Sequence, residues 1–297
     1  MRNFENTLEE TARLNIKLQV QEALKSYHFS MMEITEENGN KLKKELNKTL
    51  FFTIKQNTDN LFTVQIETFD WEYKNKTVSI TEKEFLRTVA EITDDVIMTI
   101  DNMGDIKRIN NLPAIKERVI SKTARLQKKY VGLHAQHSFK NIECFYQQEK
   151  QIINDVLTYK QFGLLLNNFY GLYSPKTNKQ HTIRYTNFMD NTFITINENA
   201  VIHKIDKEKN VVEVKVSGNI IEPVYKSMFL KYLQEKLIAV NVEKDKPTLN
   251  KYEGHFFLDM HTGMILAAGI EIDFSFGDNY KKCISYKLNE ITDANNN

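Results

Sequence analysis

Residues 254–288, GHFFLDMHTGMILAAGIEIDFSFGDNYKKCISYKL, decide the fold of this chain. Apolar side chains alternate at Phe256, Leu258 and Met260, again at Ile270, Ile272, Phe274 and Phe276, and a third time at Ile284, Tyr286 and Leu288. A period of two is the signature of strands with one buried face. Between the runs stand His261-Thr262-Gly263 and Gly277-Asp278-Asn279, where glycine supplies the positive φ that tight turns need. The stretch predicts an antiparallel meander of at least three strands. It carries architecture and no recognisable chemistry.

A weaker echo lies in the first half. Asp95 to Asp101, a turn at Asn102-Met103-Gly104, and Asp105 to Ile109 parallel His255 to Asp259, the turn ending at Gly263, and Met264 to Ala268. A helix-like segment precedes each copy, Thr81 to Glu91 in the first and Val224 to Val240 in the second. Phe62, Val64 and Ile66 correspond to Val212, Val214 and Val216. The expected fold class is therefore α+β, with two related antiparallel β-rich halves, each strands-helix-strands, bridged by central helices.

Outward from these copies, Leu8, Ala12, Ile16 and Val20 recur at helical spacing behind a cap at Asn6 or Thr7. Tyr27 to Ile34 leads into the Asn38-Gly39 turn, and Leu46, Leu50, Phe52 and Ile54 alternate on the return. Leu61 to Tyr73 predicts a third strand. Thr81-Glu82-Lys83-Glu84 fits a capping box, and Pro113 suits the first turn of a helix running to about Gln127. The dense apolar run from Ser138 through Leu157, and again from Gln161 to Tyr173, predicts buried central helices. The expected divisions are 1–112, a leading helix and β-rich half; 113–175, a helical centre; 176–288, a second β-rich half; and 289–297, a disordered tail.

Composition sets bounds on function. Hydrophobic residues make up 41% and charged residues 27% of 297, an ordinary globular balance. With 40 basic against 39 acidic residues the net charge is +1, which gives no global drive toward nucleic acid or anionic membrane. Cys144 and Cys283 are too few for a disulfide framework or zinc site. No run approaches the roughly 18 apolar residues of a spanning helix. The polar start Met1-Arg2-Asn3-Phe4-Glu5-Asn6 lacks the apolar core of a secretory signal, so the expected location is cytoplasmic.

Candidate chemistry is sparse. His255, Asp259 and His261 fall along one strand and its turn, too spread to converge on one ion. His134 and His137 are expected in a polar loop between helices. Asp101 and Asp259 stand at matching places before their turns and read as turn formers, because aspartate bonds the backbone two residues on. There is no Gly-x-Ser-x-Gly elbow, phosphate loop or dinucleotide fingerprint. No catalytic residue, metal ligand or cofactor is assigned, and an enzyme would need a dispersed site built from scattered residues.

The positive signals are surfaces. Phe69, Trp71 and Tyr73, a row that includes the only tryptophan, and Phe169, Tyr170 and Tyr173 supply aromatic area of the kind enriched at interfaces. The expected partner-binding residues are Phe69, Trp71, Tyr73, Tyr170 and Tyr173. The expectation is a non-catalytic, bacterial-type cytoplasmic adaptor, chaperone or immunity protein that masks a protein partner. The alternatives are a carrier of a small hydrophobic ligand held in the concavity of a curved sheet, and an enzyme with a dispersed site.

Overall fold

Alternating side chains become antiparallel ladders along most of the chain. A computed structural model describes residues 14–75, 79–166, 170–173, 178–186, 193–221 and 247–292. Within them lie β1 (Leu14–Ile16), β2 (Glu22–Glu37), β3 (Asn40–Thr58), β4 (Leu61–Asn75), α1 (Ile80–Ala90), a 3₁₀ turn (Glu91–Thr93), β5 (Asp95–Asp101) and β6 (Ile106–Ile109). There follow α2 (Leu112–Lys129), α3 (Leu133–Tyr146), α4 (Glu149–Val156), β7 (Gly171–Tyr173), β8 (Lys179–Thr186), β9 (Phe193–Asp206), β10 (Val211–Ile220), β11 (Pro247–Asp259), β12 (Ile265–Phe276) and β13 (Tyr280–Glu290). The result is an α+β arrangement dominated by open antiparallel sheet.

The chain groups into two compact units that do not follow its order. One comprises 1–18, 31–45 and 168–287, the other 19–30, 46–167 and 288–297. In the second unit, β6, β5, β4, residues 46–58 of β3 and residues 22–30 of β2 neighbour one another in that order. Phe62, Val64 and Ile66 of β4 share a buried face with Val96, Met98 and Ile100 of β5 and with Leu46, Leu50, Phe52 and Ile54 of β3. The four described helices belong to this unit and bury Ile115, Val119, Phe139, Ile152 and Val156. Complete burial of one such side chain is worth about 1.5–3 kcal/mol.

In the first unit the order runs from β13 through β12, β11, β10 and β9 to β8, with β1 and β7 forming a separate small sheet. The predicted meander is present: Phe256, Leu258, Ile270, Ile272, Phe274, Phe276, Ile284, Tyr286 and Leu288 are buried. Gly263 and Gly277 take φ of 70° and 53°, and the Asn38-Gly39 turn takes 50° and 78°.

The two Gly turns match in detail. Phe62 pairs with Ile100 as Val212 pairs with Leu258. Asp101 Oδ1 accepts from Met103 N at 2.9 Å, and Asp259 Oδ1 from His261 N at 3.1 Å, so both aspartates are turn formers. Asn102 N donates to Asn60 O, and Met260 N to Asn210 O.

Four local expectations need correction. The helix expected from Leu8 to Val20 is not formed in its second half, where Leu14–Ile16 pairs with β7 as strand; residues 1–13 lie outside those described. The capping box begins two residues earlier than Thr81. Ser79 Oγ accepts from Glu82 N and Glu82 Oε2 from Ser79 N, leaving Glu84 to pair with Lys129 and Arg125. Both Ser79 and Thr81 fit the motif, and the helix starts at the first. His134 and His137 lie on α3, not in a loop. Gln161 to Leu166 is a knot of turns and Gly171–Tyr173 a strand, where helix was expected. Leu164, Leu165 and Leu166 are consecutive and all buried, so the segment has no exposed face for a surface helix to present. The expected helix at Val224 to Val240 lies outside the described residues.

Candidate functional site

Parity positions Phe69 of β4, and holds only as far as Asp70. Phe62, Val64 and Ile66 take the core face, so odd-numbered residues take the other. Phe69 is 44% exposed and packs edge-on against Phe51 of β3 at 4.8 Å between centroids. Asp70 adopts φ of 51°, a left-handed conformation tolerated by aspartate, which interrupts the regular strand. Beyond it Trp71 and Tyr73 are half-buried and stack at 5.8 Å, their planes 25° apart. The pairing of β4 with β5 ends at Glu67, so this segment continues past β5.

Tyr170 and Tyr173 are placed differently. Each is 2% exposed, and the Tyr170 hydroxyl donates to Gly263 O at 3.1 Å. Burial raises both phenol pKa values above the ordinary 10. They are core residues of the first unit and present no surface. Phe169 lies outside the described residues.

The histidines do not converge. His255 Nδ1 lies 2.7 Å from Glu213 Oε1 on the neighbouring strand, while His261 is exposed in its turn. Among the described residues no group of three His, Cys, Asp or Glu side chains could hold a metal ion. A recess lined by Leu14, Asn15, Ile16, Lys17, Val212, Asp259, Met260 and Gly263 has a volume of about 20 Å³, room for about one water.

Three charged side chains that sequence reading passed over sit in core rows. Lys48 occupies the slot between Leu46 and Leu50 and is 4% exposed. Its Nζ donates to Lys160 O at 3.2 Å and Gln161 Oε1 at 3.3 Å and stands 4.9 and 5.0 Å from the ring centroids of Phe29 and Phe162. Burial drags its pKa from 10.5 to about 7, against the pull of Asp94 and Asp155. Burial likewise lifts Asp94 to about 6 and raises Asp155, to which the Tyr146 hydroxyl is hydrogen-bonded.

Glu198 of β9 follows Ile194 and Ile196 and is fully buried. Tyr252 of β11 donates to its Oε1, the Tyr185 and Tyr252 hydroxyls lie 2.6 Å apart, and His181 Nε2 is 2.5 Å from Oε2. Lys282 of β13, between Tyr280 and Ile284, is 5% exposed and lies 3.2 Å from Glu33 Oε2. Burial works against the charge of Glu33, yet Lys282 and Lys44 hold its pKa below 4.5. The signal that would have found all three is a charged residue in step with an apolar period of two.

Fold and surfaces together define an α+β chain built on open antiparallel sheet, with Phe69 of β4 exposed beside half-buried Trp71 and Tyr73. No protein-family model matches it, and no curated protein matches it. Among solved structures it is similar to a lipovitellin from work on lipid–protein interactions, at 14% identity and a TM-score of 0.43, covering 93% of this chain and 25% of that one. It thus spans about a quarter of that chain's length. An outer membrane channel from Pseudomonas putida F1 aligns at 7% identity and a TM-score of 0.19, covering 93% of this chain and 98% of that one.

Proposed function

We propose that this chain is a non-catalytic protein-binding protein of the adaptor, chaperone or immunity type, and that Phe69, Trp71 and Tyr73 face the partner. The observation that carries this reading is the exposure of Phe69 beside Phe51, on a strand whose opposite face is buried at Phe62, Val64 and Ile66. Rigid aromatic side chains are the usual anchors of interfaces, since they bury much area at little entropic cost. Its setting is the cytoplasm. The matched turns at Asp101 and Asp259 and the equal registers beside them support a duplicated β unit as its scaffold.

The test is native mass spectrometry of the protein isolated gently from its own host. A second polypeptide at fixed stoichiometry, lost in the Phe69→Ser, Trp71→Ser double variant, supports the proposal. A bare chain, or a complex indifferent to the double variant, refutes it. A carrier of a small hydrophobic ligand is the second reading, and it requires the buried run Phe162 to Leu166 to make way for the ligand. Copurified small molecules in the same spectra would select it.

A further inference from the structure

We propose that residues 157–166 form a plug that closes over Lys48 and is driven open when Lys48 takes up a proton. The segment is a knot bonded to itself and to the end of α4. Leu157 N donates to Ile153 O, Thr158 N to Asp155 O, Phe162 N to Val156 O, Gly163 N to Thr158 O, and Leu165 N and Leu166 N to Phe162 O. Gly163 is required for this compactness, because a Cβ there would stand 2.3 Å from Leu157 O. The segment's backbone bonds close single turns kept from water by burial, so lifting it opens its amides to exchange. Its underside is apolar: Phe162, Leu164, Leu165 and Leu166 are at most 4% exposed.

Lys48 is where the plug meets the sheet in polar contact. The amine reaches up from β3 to Lys160 O and Gln161 Oε1 and is sandwiched between Phe29 of β2 and Phe162 of the plug. The charged groups facing it are Asp94 beside β5, Asp155 on α4 and Lys160 on the plug itself. Glu91, Arg118 and Lys122 act on Asp94, and Tyr146 on Asp155. An ammonium in this slot is dehydrated and retains only these contacts. Lifting the plug admits water to it.

The direction follows from linkage. In the closed state the amine holds its proton only below about 7, and in water it would hold it up to about 10.5. Closure is therefore favoured above that ordinary value, and its advantage is lost as pH falls through 7. Each pH step within the window changes the opening constant by up to about tenfold. Asp94 acts in the opposite sense at lower pH, because burial favours its neutral form.

Hydrogen exchange of peptides spanning 157–166, corrected for intrinsic rates and measured from pH 6 to 9.5, tests the proposal. The wild type should open up to about 100-fold more at pH 7 than at pH 9 and level off below 7, while peptides from β12 stay constant. Lys48→Met should remove the slope, and Asp94→Asn should keep it. The variant Asp94→Asn makes the test independent of whether Lys48→Met folds. A flat wild-type profile, a slope retained in Lys48→Met or lost in Asp94→Asn, or the same slope in β12, would overturn it.

Discussion

Replacing Gly218 by alanine should destabilise the first unit by about 2.5–6 kcal/mol, and the reason lies three strands wide. Gly218 of β10 pairs with Glu198 of β9, and the neighbouring Ser217 pairs with Glu253 of β11. Tyr252 leans across the missing side chain to reach Glu198. A Cβ at Gly218 would stand 2.7 Å from Tyr252 Cδ1, 3.0 Å from Cε1 and 2.7 Å from Ile196 Cγ2. Overpacking of this kind costs about 1–3 kcal/mol. Displacing Tyr252 also removes a donor from a fully buried carboxylate, and a hydrogen bond to a charged group is worth about 1.5–3 kcal/mol. Urea unfolding followed by far-ultraviolet circular dichroism gives the sum. The single tryptophan, Trp71, lies in the other unit and reports on that one separately. A cycle separates the parts: Gly218→Ala in a Tyr252→Leu background should lose at least half of its cost, because the ring it strikes is gone. A loss below about 0.5 kcal/mol for the single variant, or an unchanged cost once Tyr252 is replaced, would refute the reasoning.

Three further outcomes follow from charge and turn geometry. Lys48→Met removes an amine that burial strips of water, so its effect on the stability of the second unit should be more favourable at pH 7 than at pH 9.5, by up to about tenfold in the unfolding constant per pH step; urea titrations at the two pH values check this. Glu33, whose pKa Lys282 and Lys44 hold below 4.5, contributes stability that is full above that value and is lost as pH falls through the lower folded one, so Glu33→Gln should flatten the acid limb of the unfolding curve. Asp259→Ala removes acceptors for His261 N, Thr262 N, Thr262 Oγ1 and Asn210 Nδ2 and should cost about 1–3 kcal/mol by thermal unfolding, whereas Asp259→Asn should cost less.

Strands were legible wherever alternation is clean. Most of Phe256 to Leu288 could be read directly because apolar side chains alternate along it and Gly263 and Gly277 fall at the turns. Asp101 and Asp259 were legible as turn formers because the interaction is local, spanning two residues. What escaped is what depends on partners distant in sequence. Lys48, Glu198 and Lys282 interrupt apolar rows, and a charged residue in such a row looks like a gap until neighbouring strands supply its partners. The crossing of Tyr252 over Gly218 needs the register of three strands. Phe162 to Leu166 looked helical because it is dense and apolar, yet its bonds turn back on themselves. Tyr170 and Tyr173 were candidates for a surface because sequence records aromaticity and not depth.

In the proposed function, Phe69, Trp71 and Tyr73 of β4 face a protein partner. Photocrosslinking in the native host tests it most directly, with a benzophenone amino acid at position 69 and a control at Val131, which is 86% exposed between α2 and α3. One discrete adduct of fixed mass is expected from position 69 and none from position 131. No adduct from position 69, or the same adducts from both, would contradict it.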